Sequence, residues 1–477
     1  HLNLCNRSGL HGSVDPFLYN GHLCSKKKDM ARIPLFVILL GFICYPLSAQ
    51  EKSFTPGGFV RGGFYYSTGD YAHNINAAFG DAALTLTATD NLSFKGFGDL
   101  RVRMGQQFGE NVNSLTLREA WGMYYNSFMS ISAGKKIIKW GKTDIFTPLS
   151  RFNPVDYTFR TPDFEDAELG NLLGEITFTP APFFRVSVVA VPFWNPSVLI
   201  IKPITLPPQM EVSLPEGLRT GNGYHSWGVR GDFTFRGFDA GLQYYHGPDL
   251  MPGLSLAGAD YTNPLQPAIS VEGVPYIISS SGFDFETIIS PFVLRGAAAL
   301  TSPVNEKENN EEIPFRQFEW VAGLDWTPGA LRVTAEYSGK KILDFYESPY
   351  DPILGTEPDM QQLAELFNTP GFDPVEFTRL QIEAFNRLYN NQIHEYYHSA
   401  GIRLETDLLY GRLIPSITTV YNFTSKDLMV RPALRYKPSD GVTLSAGYEH
   451  YSGTSGGMYD IVDDFMKAAY FAIRIDF

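Results

Sequence analysis

In several stretches of this chain arginines and carboxylates fall on one face of a two-residue alternation. Lys95, Asp99, Arg101 and Arg103 fall on one side of a two-residue repeat; Leu92, Phe94, Leu100, Val102 and Met104 fall on the other. Arg230, Asp232, Thr234 and Arg236 alternate with Val229, Phe233 and Phe235, and Arg431 and Arg435 alternate with Val430, Leu434 and Tyr436. A guanidinium offers a planar fork of donors that fits a carboxylate. Such rows can therefore bind anionic solutes or pair with acids of the protein itself. The histidines His225, His246, His394, His398 and His450 lie in no Gly-x-Ser-x-Gly or His-Glu-x-x-His context. His394 and His398 are spaced to share a helix face, but a lone pair near a helix end is more often structural than metal-binding. No enzyme, metal or cofactor is expected.

The elements that position these rows must be strands. The chain has 477 residues, 14% aromatic and 19% charged, with 26 Tyr, 36 Phe and 44 Gly. Soluble domains carry about 25% charged residues, yet mean hydropathy is only -0.12. Aromatic and glycine content of this kind suits many strands joined by tight turns. From about residue 58 onward the repeat is two, not 3.6. Nothing in the body reaches the ~18 uninterrupted apolar residues of a membrane helix. If the chain enters a bilayer, only a closed barrel remains, because backbone groups in lipid must be bonded internally.

About eighteen candidate strands of roughly ten residues are legible, the length a tilted membrane strand needs. They centre near residues 63, 84, 98, 120, 133, 176, 188, 230, 243, 286, 296, 321, 335, 401, 417, 431, 446 and 471. Short turns such as Asp90-Asn91, Asn126-Ser127 and Ser290-Pro291 alternate with long connections near 69–78, 105–113, 140–170, 195–223, 247–281, 302–314, 342–394, 422–427 and 452–464. Outer-membrane barrels keep that parity; soluble sandwiches have no reason to. The expected fold class is all-β: a transmembrane antiparallel up-and-down β-barrel of about eighteen strands with a short helical external loop. The last strand places Phe471, Ile473, Ile475 and Phe477 on one face against Tyr470, Arg474 and Asp476. A final strand ending in Phe resembles the signal read by the bacterial barrel-assembly machinery.

With apolar faces toward lipid, the opposite faces line the lumen. The lumen-lining charges are then Arg61, Arg101, Arg103, Arg118, Arg230, Arg295, Arg332, Arg403, Arg431, Arg435 and Arg474, with Glu319, Glu336 and Glu449. Asp99, Asp232, Asp325 and Glu405 join them. A barrel of this size leaves a water channel. Two readings stay open: the charges pair across the wall as rivets, or some remain unpaired and set selectivity.

Residues 140–170 are the candidate constriction. They are too apolar and proline-rich for a solvated tail, and Phe146, Phe152, Tyr157, Phe159 and Phe164 need shelter. An inward fold and a compact external cap both satisfy that need. The pore candidates are Lys136, Trp140, Asp144, Arg151, Asn153 and Asp156. Residues 342–394 read as an acidic external lid, with helices at Asp359–Phe367 and Pro374–His394 and Asp373 as cap of the second.

The string from Gly134 through Lys135, Lys136, Trp140 and Gly141 to Asp144, followed by Asn153-Pro154-Val155-Asp156, resembles a motif of certain outer-membrane barrels. These are a large, mostly uncharacterised proteobacterial group and the related alginate-export-type porins. Lys135 and Lys136 depart from the Arg-Gln expected there. The match covers about 25 residues, and it implies a passive channel or small-ligand transporter without identifying the solute.

Residues 1–29 are read as an upstream extension and 30–49 as a signal peptide, with a basic start at Arg32, an apolar run to Cys44 and cleavage after Ala49. Residues 50–57 are expected to be a short periplasmic segment before a barrel over 58–477. Cys5, Cys24 and Cys44 all precede that cleavage, so the mature chain would carry no disulfide. Cleavage removes Arg7, Lys26, Lys27, Lys28 and Arg32 against Asp15 and Asp29, taking net charge from -13 to -16. Nucleic-acid binding is not expected with that balance. The expected function is a porin or selective channel for small solutes, with a weak preference for anions. A transporter of hydrophobic molecules, or a structural or adhesive barrel with a plugged lumen, are the alternatives. The expected partners are outer-membrane lipids, the assembly machinery at Phe477, and an unidentified solute.

Overall fold

The computed structural model describes residues 53–69, 75–90, 92–200, 210–215, 218–219, 224–263, 267–305, 310–350, 352, 365 and 368–477. All belong to one compact unit, Lys52–Phe477. The extension 1–29, the signal peptide 30–49 and nearly all of the helix expected at 359–367 lie outside the described residues.

Eighteen strands form one antiparallel sheet closed on itself. They are β1 (Ser53–Ser67), β2 (Ile75–Thr89), β3 (Phe94–Gln107), β4 (Glu110–Tyr125), β5 (Met129–Lys136), β6 (Asn171–Ala181), β7 (Phe184–Val191), β9 (Ser226–Phe235), β10 (Phe238–Pro248), β13 (Ile277–Ile289), β14 (Phe292–Pro303), β15 (Gln317–Trp326), β16 (Leu331–Ile342), β17 (Tyr396–Thr406), β18 (Leu413–Asn422), β19 (Leu428–Ser439), β20 (Val442–Ser452) and β21 (Ala468–Asp476). Each pairs with the strand before and after it, and β1 pairs with both β2 and β21 to close the ring. Every expected strand centre falls inside one of these spans. The first strand begins at Ser53 and not at 58, because Ser53–Gly57 pair with Thr85–Thr89.

Side chains of directly opposed residues share a face. The register therefore builds rows of charge across the wall. Arg474, Arg61, Asp81 and Arg103 stand side by side on β21, β1, β2 and β3. The other face is greasy: Leu84, Leu100, Met104, Leu242, Ile402 and Leu434 are exposed. At the short-turn end Tyr124, Phe128, Phe178, Phe183, Phe235 and Phe238 form an exposed aromatic girdle. An apolar band with such a girdle suits lipid, not water.

The long connections lie at the opposite end, with one correction. The loop expected at 105–113 is a two-residue turn, Phe108-Gly109, between β3 and β4. Both residues have positive φ, 46° and 79°, the backbone twist that a tight hairpin demands. Pieces of four of the other long connections fold together as a cap. Strands β8 (Met210–Ser213), β11 (Gly253–Asp260) and β12 (Ala268–Val274) form a small second sheet. Helix α1 (Pro374–Tyr389) packs Ile382, Phe385 and Leu388 onto Met210, Leu254, Ile269 and Val271. Asp373 caps α1, accepting from the backbone of Val375 and Glu376, with Pro374 in the first turn. The helix stops at Tyr389, short of His394, since Asn391 takes φ 52°. Asn386 Nδ2 donates to the carbonyls of Leu254 and Glu311, tying three loops. A second helix, α2 (Met458–Met466), lies in the last loop and was not expected.

Candidate functional site

After Lys136 the chain leaves the wall, crosses the lumen as residues 137–170, and returns at Asn171. The segment is pinned on nearly all sides. Glu336 of β16 accepts from the backbone N–H of Asp144, Ile145 and Phe146 at 2.7, 3.0 and 2.9 Å. Gln243 of β10 donates to the Leu149 carbonyl at 2.8 Å. Asp166 accepts from Arg61 at 2.7 Å and Arg101 at 2.9 Å. Arg103 donates to the Arg160 carbonyl, and Arg431 to those of Thr161 and Pro162. Arg160 and Arg431 share Glu449 at 2.8 and 2.9 Å, all three buried. Apolar packing completes the seat. Phe152 meets Trp140 and Tyr245 edge-on at 4.8 and 5.1 Å, and Leu149 packs on Ala297, Ala299 and Val321.

The pore candidates divide by role. Asn153 is a buried clamp, accepting from Ile138 N at 2.9 Å and donating to its carbonyl at 2.7 Å. Trp140 is likewise packed in the apolar seat. Asn153 thus holds the crossing segment together, while Trp140 also borders the larger of two cavities beside it. Lys136 pairs with Glu175 at 2.5 Å and Asp144 with Arg295 at 2.7 Å. Arg151 reaches Glu319 at 3.3 Å. Asp156 accepts from Thr158, and burial pushes its carboxyl above the ordinary range. Burial likewise pushes up Asp249, although Arg151 opposes it. Asp166 moves the other way: burial would raise it, but Arg61 and Arg101 together hold it below the usual carboxylate range.

Among the wall arginines, pairing dominates. Arg118 stands 3.6 Å from Asp99, Arg230 2.7 Å from Asp284, and Arg295 2.8 Å from Asp325. Arg332 and Arg435 both reach Glu405 at 2.6 Å, and Arg474 pairs with Asp476 at 2.8 Å. Arg403 and, on β7, Arg185 are exceptions: both are exposed, and no ion pair to either appears among the described residues. Sequence reasoning missed Asp81, Asp284, Arg160 and Asp166. Asp284 carried a signal, a carboxylate between Phe283 and Phe285 in a strand. Arg160 and Asp166 sit in an irregular segment without periodicity. His394 lies before β17 and His398 within it, so the two share no helix. His398 meets the Tyr337 hydroxyl at 2.5 Å, and no metal-holding group occurs among the described residues.

Two cavities flank the crossing segment. One of roughly 380 Å³ runs from Lys136–Lys142 toward the short turn at Phe183. Lys136, Lys142, Arg185 and Arg230 line it against Glu175 and Asp232. The other, roughly 200 Å³, lies between β1–β4 and residues 156–169.

No protein-family model and no curated protein matches the chain. Solved structures do. Pseudomonas aeruginosa OpdK with vanillate aligns at TM-score 0.51 and 7% identity, over 89% of this chain and 98% of that one. Pseudomonas aeruginosa OccK2 (OpdF) in complex with glucuronate aligns at 0.50 and 7%, over 89% and 96%. Acinetobacter baumannii OccAB4 aligns at 0.50 and 8%, over 90% and 98%. OpdK is described as an outer membrane protein. At such identities the likeness establishes a shared barrel fold.

Proposed function

We propose that this protein is an outer-membrane channel that passes small solutes passively and favours anions. The observation that carries the reading is a segment pinned across a closed barrel beside a basic cavity. A constriction held by the wall narrows the lumen without needing to move, and charged groups at a narrow point sort solutes by sign. Lys142 and Arg185 are the groups best placed to act. Lys142 lies 4.0 Å from Asp239, and Arg185 stands opposite Asp232, whose carboxylate is already taken by Arg230 at 2.8 Å. Arg403 adds an uncompensated charge on β17. Two proteins of the same fold hold vanillate and glucuronate, both carboxylates. The short-turn end then faces the periplasm and the co-folded cap faces outward. The Trp140-Gly141 and Asn153-Pro154-Val155-Asp156 string favours kinship with the alginate-export-type barrels. The strand ending at Phe477 is the handle for the assembly machinery.

The test is conductance in planar bilayers together with glucuronate uptake into vesicles. Single-channel steps with anion selectivity, weakened by Lys142→Glu and Arg185→Glu, are the expected result. A folded protein with neither conductance nor uptake would mean a plugged structural barrel instead.

A further inference from the structure

The wall is not equally tall all the way round. β4 runs 16 residues, but its neighbour β5 has only 8, and β7 has 8. Pairing between β4 and β5 reaches only from Tyr125 up to Ala120. Beyond that, β5 turns into the lumen. Over Asn111–Leu117, no strand or other backbone bond meets the side of β4 away from β3 among the described residues. That is roughly 20 Å of open edge, at about 3.3 Å per residue. On the far side the wall climbs back only gradually, since β6 starts at Asn171, β7 ends at Val191 and β9 starts at Ser226.

The open edge separates two environments. Leu115, opposite Val102 of β3, points outward and is 70% exposed, on the same face as the lipid-facing Met104 two residues further along β3. Val112, Ser114 and Thr116 point inward and line the smaller cavity. Apolar Phe59, Phe159 and Leu169 share that lining with Arg101, Arg103 and Arg118, and with Asp81, Asp156 and Asp166, of which Asp166 is engaged by Arg61 and Arg101. Arg103 is buried, and its Nε and Nη1 donate no hydrogen bond among the described residues, the latter standing 3.6 Å from Asp81. A pocket with apolar walls and a buried cation holding spare donors suits an apolar body with an anionic head. Backbone at membrane depth is tolerated unpaired only where it borders protein or a water-lined gap.

We infer that the notch beside β4 is a side portal, joining this pocket to the outer leaflet and admitting a short-chain anionic amphiphile. The inference rests on the outer-membrane placement proposed above. The test uses the full-length protein in phosphatidylcholine nanodiscs, with a photoreactive benzophenone residue at Thr116 or, separately, at Leu115. Ser280, inward-facing on β13 where the wall is complete, is the closed control. Lipid adducts at both Leu115 and Thr116, none at Ser280, and loss of only the Thr116 adduct with decanesulfonate are expected. Adducts at Leu115 alone, or a Thr116 adduct indifferent to decanesulfonate, overturn the portal while leaving the channel standing. Absence of adducts at Leu115 as well overturns the membrane barrel itself.

Discussion

The arc β1–β4 and the arc β6–β9 both turn cations toward the lumen, and they use them in opposite ways. Along the first arc, Arg61, Arg101 and Arg118 each find a carboxylate, from the wall or from Asp166. These charges hold the crossing segment and are spent in doing so. Along the second arc, Arg185 is exposed and its opposite number, Asp232, is engaged elsewhere. A charge that positions the chain is neutralised by the chain; one left over is available to a solute. Counting arginines on inward faces therefore overstates selectivity, and counting their partners locates it.

Removing a charge that seats the crossing segment, here on β20, should have the largest effect. Glu449→Gln leaves Arg160 and Arg431 buried without their shared carboxylate, and we expect a loss of about 3–5 kcal/mol, read as a lower urea midpoint of the folded barrel. Glu336→Gln weakens three backbone bonds at once. It should cost about 1.5–3 kcal/mol and raise single-channel conductance as residues 144–146 come free. An unchanged conductance would show that the tip is held by packing alone. Acid should act on the β1–β4 arc reversibly, through Asp166. Asp166 is held low in the folded protein, so its contribution is complete above the unfolded carboxylate value of about 3.9. It fades as pH falls through the lower folded value, and noisier conductance only in that acid range is the expected trace. Arg185→Glu is the mildest for stability, within about 0.5 kcal/mol, yet it should cut anion preference in reversal-potential measurements. If Arg185→Glu were as destabilising as Glu449→Gln, the distinction between charges that seat the chain and charges left over would fall.

The barrel was legible because its physics repeats. Each wall strand must be greasy outside and polar inside, so a period of two returns along the whole chain, and even the position of Arg403 could be read. What joins the strands obeys no such rule. Phe108-Gly109 looked like part of a longer loop because Gln106 and Asn111 are polar; only the register with β2 and β4 shows them to be wall. The helix over Pro374–Tyr389 announced itself through Asp373-Pro374, whereas β8, β11 and β12 are too short and too dependent on one another to stand out. Trp140 and Asn153 drew notice as motif residues, but the segment that holds Ile138 against Asn153 and Phe152 against Trp140 is irregular, with no periodicity to show which side chains turn inward.

The cap knots together pieces of four separate connections, with Asn386 and Gln392 gripping backbone from their neighbours. Its loops cannot then drift independently, as surface loops ordinarily do when something outside the cell selects against them. Exchanging one between related barrels would strip the underside of the others, so antigenic change on this face should come by replacing the whole crown or hardly at all.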